Sequence, residues 1–337
     1  MSSVQPCGAS GDDAGVGASE VLEAAQRGLS LKAKRLPSWL FYDERGSALF
    51  DKICAQPEYY LTACELALMR EHVQSIVDTL GSEVRLVEYG SGSGRKTRLL
   101  LQHLKAPVAY VPVEISPAPL RASIARLAAE FPQLPLQPLC ADFSKPLRLP
   151  VAPSAPRRTV IYFPGSTIGN FESREAAELL RKMRKEMGEA GGILIGVDLK
   201  KDAARIEAAY NDRAGVTAEF TLNLLARLNR EVGSNFDLSA FAHRARYNPM
   251  AGRVETQLVS RRAQQVSIGR TRIKFRADEA IQVEYSCKYS LEEFAALAAK
   301  AGLAVERVWL DAERMFSVQY LVRAGTGRAD VPSGAVQ

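Results

Sequence analysis

The chain has 337 residues, of which 47% are hydrophobic and 24% charged, and 44 Lys and Arg against 38 Asp and Glu give a formal charge of +6. This composition excludes a mainly disordered chain, a collagen and a long coiled coil, and it leaves enough apolar surface for one large domain or two modest ones. No run approaches eighteen apolar residues, no basic start leads into an apolar segment, and the basic residues are dispersed without an aromatic stripe, so no membrane span, secretory signal or nucleic-acid partner is expected.

Residues 1–20, rich in Gly, Ala, Ser and Asp, read as a loose arm, and 325–337 as a similar tail. Glu83–Tyr89 reads as an apolar strand that runs into GSGSG, followed by helical sequence over Lys96–Leu104. Val108–Ile115 is a second strand, Pro119–Glu130 a helix, and Leu136–Cys140 a weaker third strand. Thr159–Phe163, the charged helix Arg174–Gly188 and the strand Gly192–Leu199 continue the alternation, which implies right-handed βαβ units and a parallel sheet. The pattern then breaks. Helical stretches (Ala203–Asn211, Val216–Leu228) give way to strand-like segments at Ala242–Tyr247, Arg253–Ser260, Val266–Ile268 and Ala280–Ser286. Ser290–Ala301 opens with a Ser-x-x-Glu capping box, and strands Ala304–Leu310 and Phe316–Val322 close the chain. Five β/α units, a helix and a final β-pair resemble the seven-stranded, Rossmann-like α/β sheet of class I S-adenosylmethionine-dependent methyltransferases. The expected core is 65–200 plus 289–324. The expected second lobe, α+β and substrate-binding, is 21–64 plus 201–288, placed over the carboxyl edge of the sheet.

In open α/β sheets ligands bind outside the carboxyl ends of the strands. Gly90 to Gly94 follow the first strand, and glycines there let a backbone approach a ligand closely. The loop is neither a phosphate-binding G-x-x-x-x-G-K-[ST] nor a dinucleotide G-x-G-x-x-G. Glu114, at the end of the second strand, can accept both hydroxyls of a ribose; Asp142 and Phe143, after the third, can take an adenine amino group and cover the ring. Each feature alone also suits an ordinary turn or a surface acid; three at successive strand ends point to an adenosine-type cofactor. The segment Phe163–Phe171 crowds two glycines, two hydroxyls and Asn170 after the fourth strand, and Tyr210 and Asn211 add polar groups. Glu284 and Ser286, two apart on a strand, share a face and suit a cationic or imidazole group. The five cysteines (Cys7, Cys54, Cys64, Cys140, Cys287) contain no CxxC pair, and none of the three histidines (His72, His103, His243) lies close to one in sequence. No metal site is expected, and reduced thiols imply a cytoplasmic protein.

The segments LFYDERGSALFDKI, QPEYYLTACE, VEYGSGSGRKT, PVEIS, ADF, GSTIGNF, GVDLKKD, AAYNDRAGVTAEFTLN and VEYSCKYS, in that order over about residues 35–323, resemble the histidine Nα-methyltransferases of ergothioneine biosynthesis. The resemblance implies S-adenosyl-L-methionine as cofactor, held by Gly90, Lys96, Glu114, Asp142 and Phe143. It implies that Tyr59, Gly165, Asn170 and Tyr210 hold the backbone end of an amino acid, with Asn170 and Tyr210 on its carboxylate. Tyr42 and Phe220 fall near the amine, and Glu284 and Ser286 bind the imidazole. The implied reaction trimethylates the α-amine of L-histidine to hercynine by in-line displacement, with positioning by Asn170 and Tyr210 and a proton route through water or Tyr42. The pattern departs at Leu61, where relatives often have Pro, and at Thr256, where a Met commonly packs on the imidazole. The Thr256 departure leaves a second reading open, the same chemistry on another amino acid or amino-acid-derived amine. The partner is a small molecule, and a monomer is expected.

Overall fold

The computed structural model describes residues 17–92 and 94–325. Most of the expected arm and tail, together with Ser93 and Cys7, lie outside the described residues. In chain order the elements are α1 (Ala18–Leu29), α2 (Glu44–Ile53), α3 (Tyr60–Leu80), β1 (Val84–Tyr89), α4 (Arg95–His103), β2 (Ala109–Glu114), α5 (Pro117–Glu130), β3 (Leu139–Cys140), β4 (Arg158–Phe163), α6 (Ser173–Glu186) and β5 (Gly192–Asp198). There follow α7 (Ala203–Ala209), α8 (Val216–Val232), β6 (Phe241–Asn248), β7 (Arg253–Ser260), β8 (Gln264–Ile268), β9 (Thr271–Phe275), β10 (Ala280–Cys287), α9 (Leu291–Lys300), β11 (Leu303–Leu310) and β12 (Phe316–Arg323). The described residues fall into two compact units, Leu61–Lys200 with 288–325, and 17–60 with Lys201–Cys287.

The first unit is built on a seven-stranded sheet in the order β11-β12-β5-β4-β1-β2-β3. Strands β1 to β5 run parallel, while β12 is antiparallel to β5 and β11 antiparallel to β12. β1 and β5 are buried along their whole length; β5 is nearly unbroken apolar sequence, whereas β1 also buries Arg85 and Glu88. One face packs against Ala176, Leu180 and Met183 of α6 and Phe294 and Leu297 of α9. The chain order reverses between β1 and β4, the switch point at which open α/β sheets bind ligands outside the carboxyl ends of their strands. The Ser290 box forms as its sequence requires: Ser290 Oγ accepts from the Glu293 N–H, and the Glu293 carboxylate accepts from the Ser290 N–H.

Two expectations need correction. The third strand shrinks from Leu136–Cys140 to Leu139–Cys140. Pro135 and Pro138 have no N–H to give, so Leu136 makes only an isolated bridge to Tyr110 before the ladder resumes. The arm ends earlier than residue 20, because α1 starts at Ala18 and buries Val21, Ala25 and Leu29 along one stripe.

The second unit holds a three-stranded antiparallel sheet, β10-β7-β6, a β8–β9 hairpin, and helices α1, α2, α7 and α8. The carboxylate of Asp212 caps α8 by accepting the N–H groups of Val216 and Thr217, and Gly233 ends the helix with φ of 62°. β9 is an addition to the expected strands. Its buried Ile273 and Phe275 alternate with exposed Arg272 and Lys274, a period-two signal that the dense charge obscures. Among the described residues no helix is long and apolar enough to cross a membrane, and no cluster of His, Cys, Asp or Glu could hold a metal ion.

Candidate active site

In the first unit the strand ends carry a polar set. Gly90, Gly92 and Gly94 all have positive φ (71°, 45° and 69°), so the turn after β1 takes a path that side chains would strain. Glu114 ends β2; its Oε1 accepts the Ile115 N–H at 2.9 Å, and its Oε2 lies 3.4 Å from the Gly92 nitrogen. Burial raises its carboxyl above the usual value, and the three backbone N–H groups of Gly92, Ser116 and Ile115 offset part of that rise. After β3, the Asp142 carboxylate accepts the Ser144 N–H at 2.8 Å. The Phe143 ring stacks on Tyr89 (centroids 5.4 Å apart, 17° between planes) and meets Phe163 edge-on at 5.5 Å. A Cβ on Gly90 would sit 3.8 Å from that ring, so glycine brings the loop backbone against the aromatic wall.

The turn after β4 is braced on several sides. Gly165 (φ 78°) and Ser166 (φ 58°) are left-handed, and Ser166 Oγ accepts the Asp198 N–H at 2.9 Å. The Thr167 hydroxyl donates to the Pro164 carbonyl at 2.9 Å, and Asn170 ends the short 3-10 helix Thr167–Asn170, half-buried. Lys96, one residue into α4, reaches Glu65 at 2.5 Å.

Glu88, on β1 two residues before Gly90, is buried. Its two oxygens are each 2.7 Å from the Thr97 hydroxyl, and the Tyr110 hydroxyl donates to one of them. Burial raises the carboxyl from 4.5 to about 7, against the lowering effect of those hydrogen bonds. A folded-state pKa above the unfolded one means that the folded chain holds the proton more tightly. The stability this contributes is complete below about 4.5 and is lost as pH rises through about 7. Glu88→Gln is therefore expected to flatten the pH dependence of stability. Its stability relative to wild type should improve by about 3 kcal/mol between about pH 5 and about pH 8. Denaturant titrations across that range check this, and a constant difference would mean that Glu88 titrates normally.

In the second unit, aromatic rings connect the expected amino-acid residues. Phe41 stacks on Phe220 at 4.6 Å; Tyr42 meets Phe220 edge-on at 6.0 Å and Phe50 at 5.9 Å. Phe50 touches Tyr59 at 6.3 Å, and Tyr59 touches Tyr210 at 6.3 Å. The Tyr59 phenol is pushed well up by burial, and then by Tyr210, Cys54, Glu284 and Tyr42, each of which disfavours a second negative charge. Tyr210 and Ser286 share a 2.7 Å hydrogen bond between their hydroxyls. His243 sits behind Tyr210: Nε2 lies 2.9 Å from the Tyr210 carbonyl and Nδ1 lies 3.0 Å from the Thr221 hydroxyl. Burial lowers the His243 pKa, so the neutral ring donates to that carbonyl from Nε2. Glu284 and Ser286 follow a bulge in β10 and pair with Thr256 and Val254 of β7. Thr256 is 2% exposed, and its hydroxyl has no hydrogen-bond partner among the described residues.

Gly90, Lys96, Glu114, Asp142, Phe143, Gly165 and Asn170 thus belong to the first unit; Tyr42, Tyr59, Tyr210, Phe220, Thr256, Glu284 and Ser286 belong to the second. Sequence reasoning did not single out Glu65, Glu88 or His243 for the site. Only Glu65 and Glu88 stood inside quoted segments, at the ends of QPEYYLTACE and before the glycines.

The model of a family described as histidine-specific, S-adenosylmethionine-dependent methyltransferase matches residues 21–323. A histidine N-alpha-methyltransferase of Mycolicibacterium smegmatis is 38% identical over 301 residues, covering 88% of this chain and 92% of that protein. One of Mycobacterium tuberculosis is 37% identical, covering 84% and 89%. Ergothioneine biosynthesis protein 1 of Neurospora crassa is 31% identical over 82% of this chain but only 32% of its own length.

Proposed function

This chain belongs to the histidine-specific, S-adenosylmethionine-dependent methyltransferase family, and on that premise we propose that it transfers methyl groups from S-adenosyl-L-methionine to the α-amine of L-histidine, up to the trimethylated product. The observation that carries the amino-acid assignment is the convergence of Tyr59, Tyr210, Glu284 and Ser286. The Tyr210 and Ser286 hydroxyls are bonded, the Tyr59 and Tyr210 rings meet at 6.3 Å, and Glu284 stands two residues from Ser286 on β10.

The residues at the strand ends suit the cofactor. The turn over Gly90, Gly92 and Gly94 has room for close approach, Glu114 can take the ribose hydroxyls, and Asp142 the adenine amino group. Phe143, backed by Tyr89 and Phe163, forms an apolar wall, and the Lys96 ammonium suits the carboxylate of the methionine part. When bound, the cofactor supplies an electrophilic methyl carbon on a sulfonium.

The chain's remaining task is to present a neutral amine in line with that carbon, so positioning provides most of the rate gain. Tyr210 and Asn170 are assigned to the substrate carboxylate, with Tyr59 and Gly165 beside it. Glu284 accepts an imidazole N–H, and Ser286, oriented by the Tyr210 hydroxyl, bonds the ring from the same strand face. Phe220 and Tyr42 border the amine; the proton that the amine must shed before each transfer leaves to water, directly or relayed by the Tyr42 hydroxyl, which passes its own proton on to water. The same reading takes the protein as a monomer in a reducing cytoplasm.

Mass spectrometry of products from purified protein, S-adenosylmethionine and an amino-acid panel tests the assignment. Mono-, di- and trimethylated histidine are expected to dominate. A second reading, methylation of another amino acid, is favoured by Thr256, whose buried, unpartnered hydroxyl stands opposite Glu284. Inert histidine beside a methylated competitor would establish that reading. Asn170→Ala should lower kcat/KM for every accepted amino acid by about 10- to 100-fold, because it removes a bond to a group that all of them carry. An unchanged rate would take Asn170 out of the site.

A further inference from the structure

Glu65, on α3, is fully buried, yet no step of the reaction described above uses it. Its carboxylate has two partners that belong to different parts of the site. Oε2 lies 2.5 Å from the Lys96 ammonium, and the two oxygens lie 3.1 and 3.0 Å from the Gly165 nitrogen. A Cβ on Gly165 would sit 3.5 Å from the same ammonium, so the cation rests against the turn that follows β4. β5 also makes room for this carboxylate: a Cβ on Gly196 would lie 2.5 Å from Glu65 Oε1. Every side chain larger than hydrogen at Gly196 would displace it.

A mere anchor for α3 does not require this arrangement. The helix already buries Leu68, Met69, Ile76 and Val77 completely or nearly so, and an ion pair taken out of water is a costly way to add adhesion. What the carboxylate does achieve is geometric. It spends one donor of the Lys96 ammonium and leaves two. The Lys96 side chain is 19% exposed, so those donors have access to an anion while the stem is held.

We propose that Glu65 is a positioning residue for cofactor binding: it fixes the Lys96 ammonium against the Gly165 turn so that Lys96 meets the carboxylate of S-adenosylmethionine already in place. The proposal rests on the cofactor assignment above. It predicts that Glu65 acts on cofactor affinity through Lys96 and not independently of it.

A double-mutant cycle read by calorimetric titration of S-adenosylmethionine into the full-length protein tests this. Glu65→Gln keeps the shape and an acceptor for the Gly165 N–H but removes the charge. It should weaken cofactor binding about tenfold, and Lys96→Met by about the same factor. The double variant should bind within about twofold of Lys96→Met alone, because the effect of Glu65 has lost its route. Losses that multiply in the double variant, or a Glu65→Gln protein that binds within about twofold of wild type, overturn the proposal. If Glu65→Gln does not fold, the cycle is run with Glu65→Asp, which keeps the charge and withdraws it by one methylene; if neither variant folds, Glu65 serves stability alone and the proposal is wrong. A wild-type protein that binds no S-adenosylmethionine would instead overturn the cofactor assignment, and that failure is visible before any variant is made.

Discussion

Glu284→Ala is expected to weaken histidine binding by about 10- to 100-fold while S-adenosylmethionine binding changes by less than about twofold. The magnitude follows from the loss of a hydrogen bond to a charged acceptor, worth about 1.5–3 kcal/mol. The selectivity follows from location: Glu284 lies on β10 of the second unit, whereas Glu114, Asp142 and Lys96 stand at strand and helix ends of the first. Glu284→Gln separates charge from shape. It keeps an acceptor for the imidazole N–H and should recover part of the affinity; a variant as weak as alanine would show that the negative charge carries the interaction. Equal loss for both ligands would remove Glu284 from ring recognition. Undiminished histidine affinity would point to the alternative substrate class, with Thr256 as the wall that selects it.

Lys288→Met should cost about 3–5 kcal/mol of stability and lower the melting temperature by on the order of 10 °C. Lys288 and Asp198 are both fully buried, with Nζ 2.7 Å from Oδ2. Asp198 ends β5, and its backbone N–H is spent on Ser166 Oγ in the turn after β4. Removing the ammonium takes its cationic partner from a carboxylate that water does not reach, and breaking a buried pair from one side costs far more than the intact pair contributes. The double variant Asp198→Asn, Lys288→Met should therefore regain much of the loss, since neither residue then carries a charge. Denaturant melts of the three proteins at one pH check both statements. A loss under about 1 kcal/mol for Lys288→Met would mean that Asp198 finds another partner.

The strand ends of the first unit were legible because the signals are local. β1, β2, β4 and β5 are apolar runs punctuated by Gly, Pro or an acid, and a chain that alternates such runs with helices has few topologies open to it. Where local signals conflicted, the reading failed. Leu136–Cys140 looked like a strand by composition, but its prolines empty the donor positions that a ladder needs. Thr271–Phe275 was not among the expected strands, but its Ile273 and Phe275 face inward at strand spacing.

The family, the parallel strands and the residue types at each strand end could be read along the chain, because side-chain period, turn chemistry and motif order are all properties of chain neighbours. What those residues touch depends on how the chain packs. Glu65 meets Gly165 across 100 positions, Lys96 across 31, and Tyr210 meets Ser286 across 76. His243 reaches back to the Tyr210 carbonyl, and a bulge sets which residue of β7 stands opposite Glu284. A buried charge or hydroxyl must find its partner wherever packing brings one within hydrogen-bond reach. That distance is set by the closure of the sheet and helices and is not encoded in the spacing of the residues along the chain.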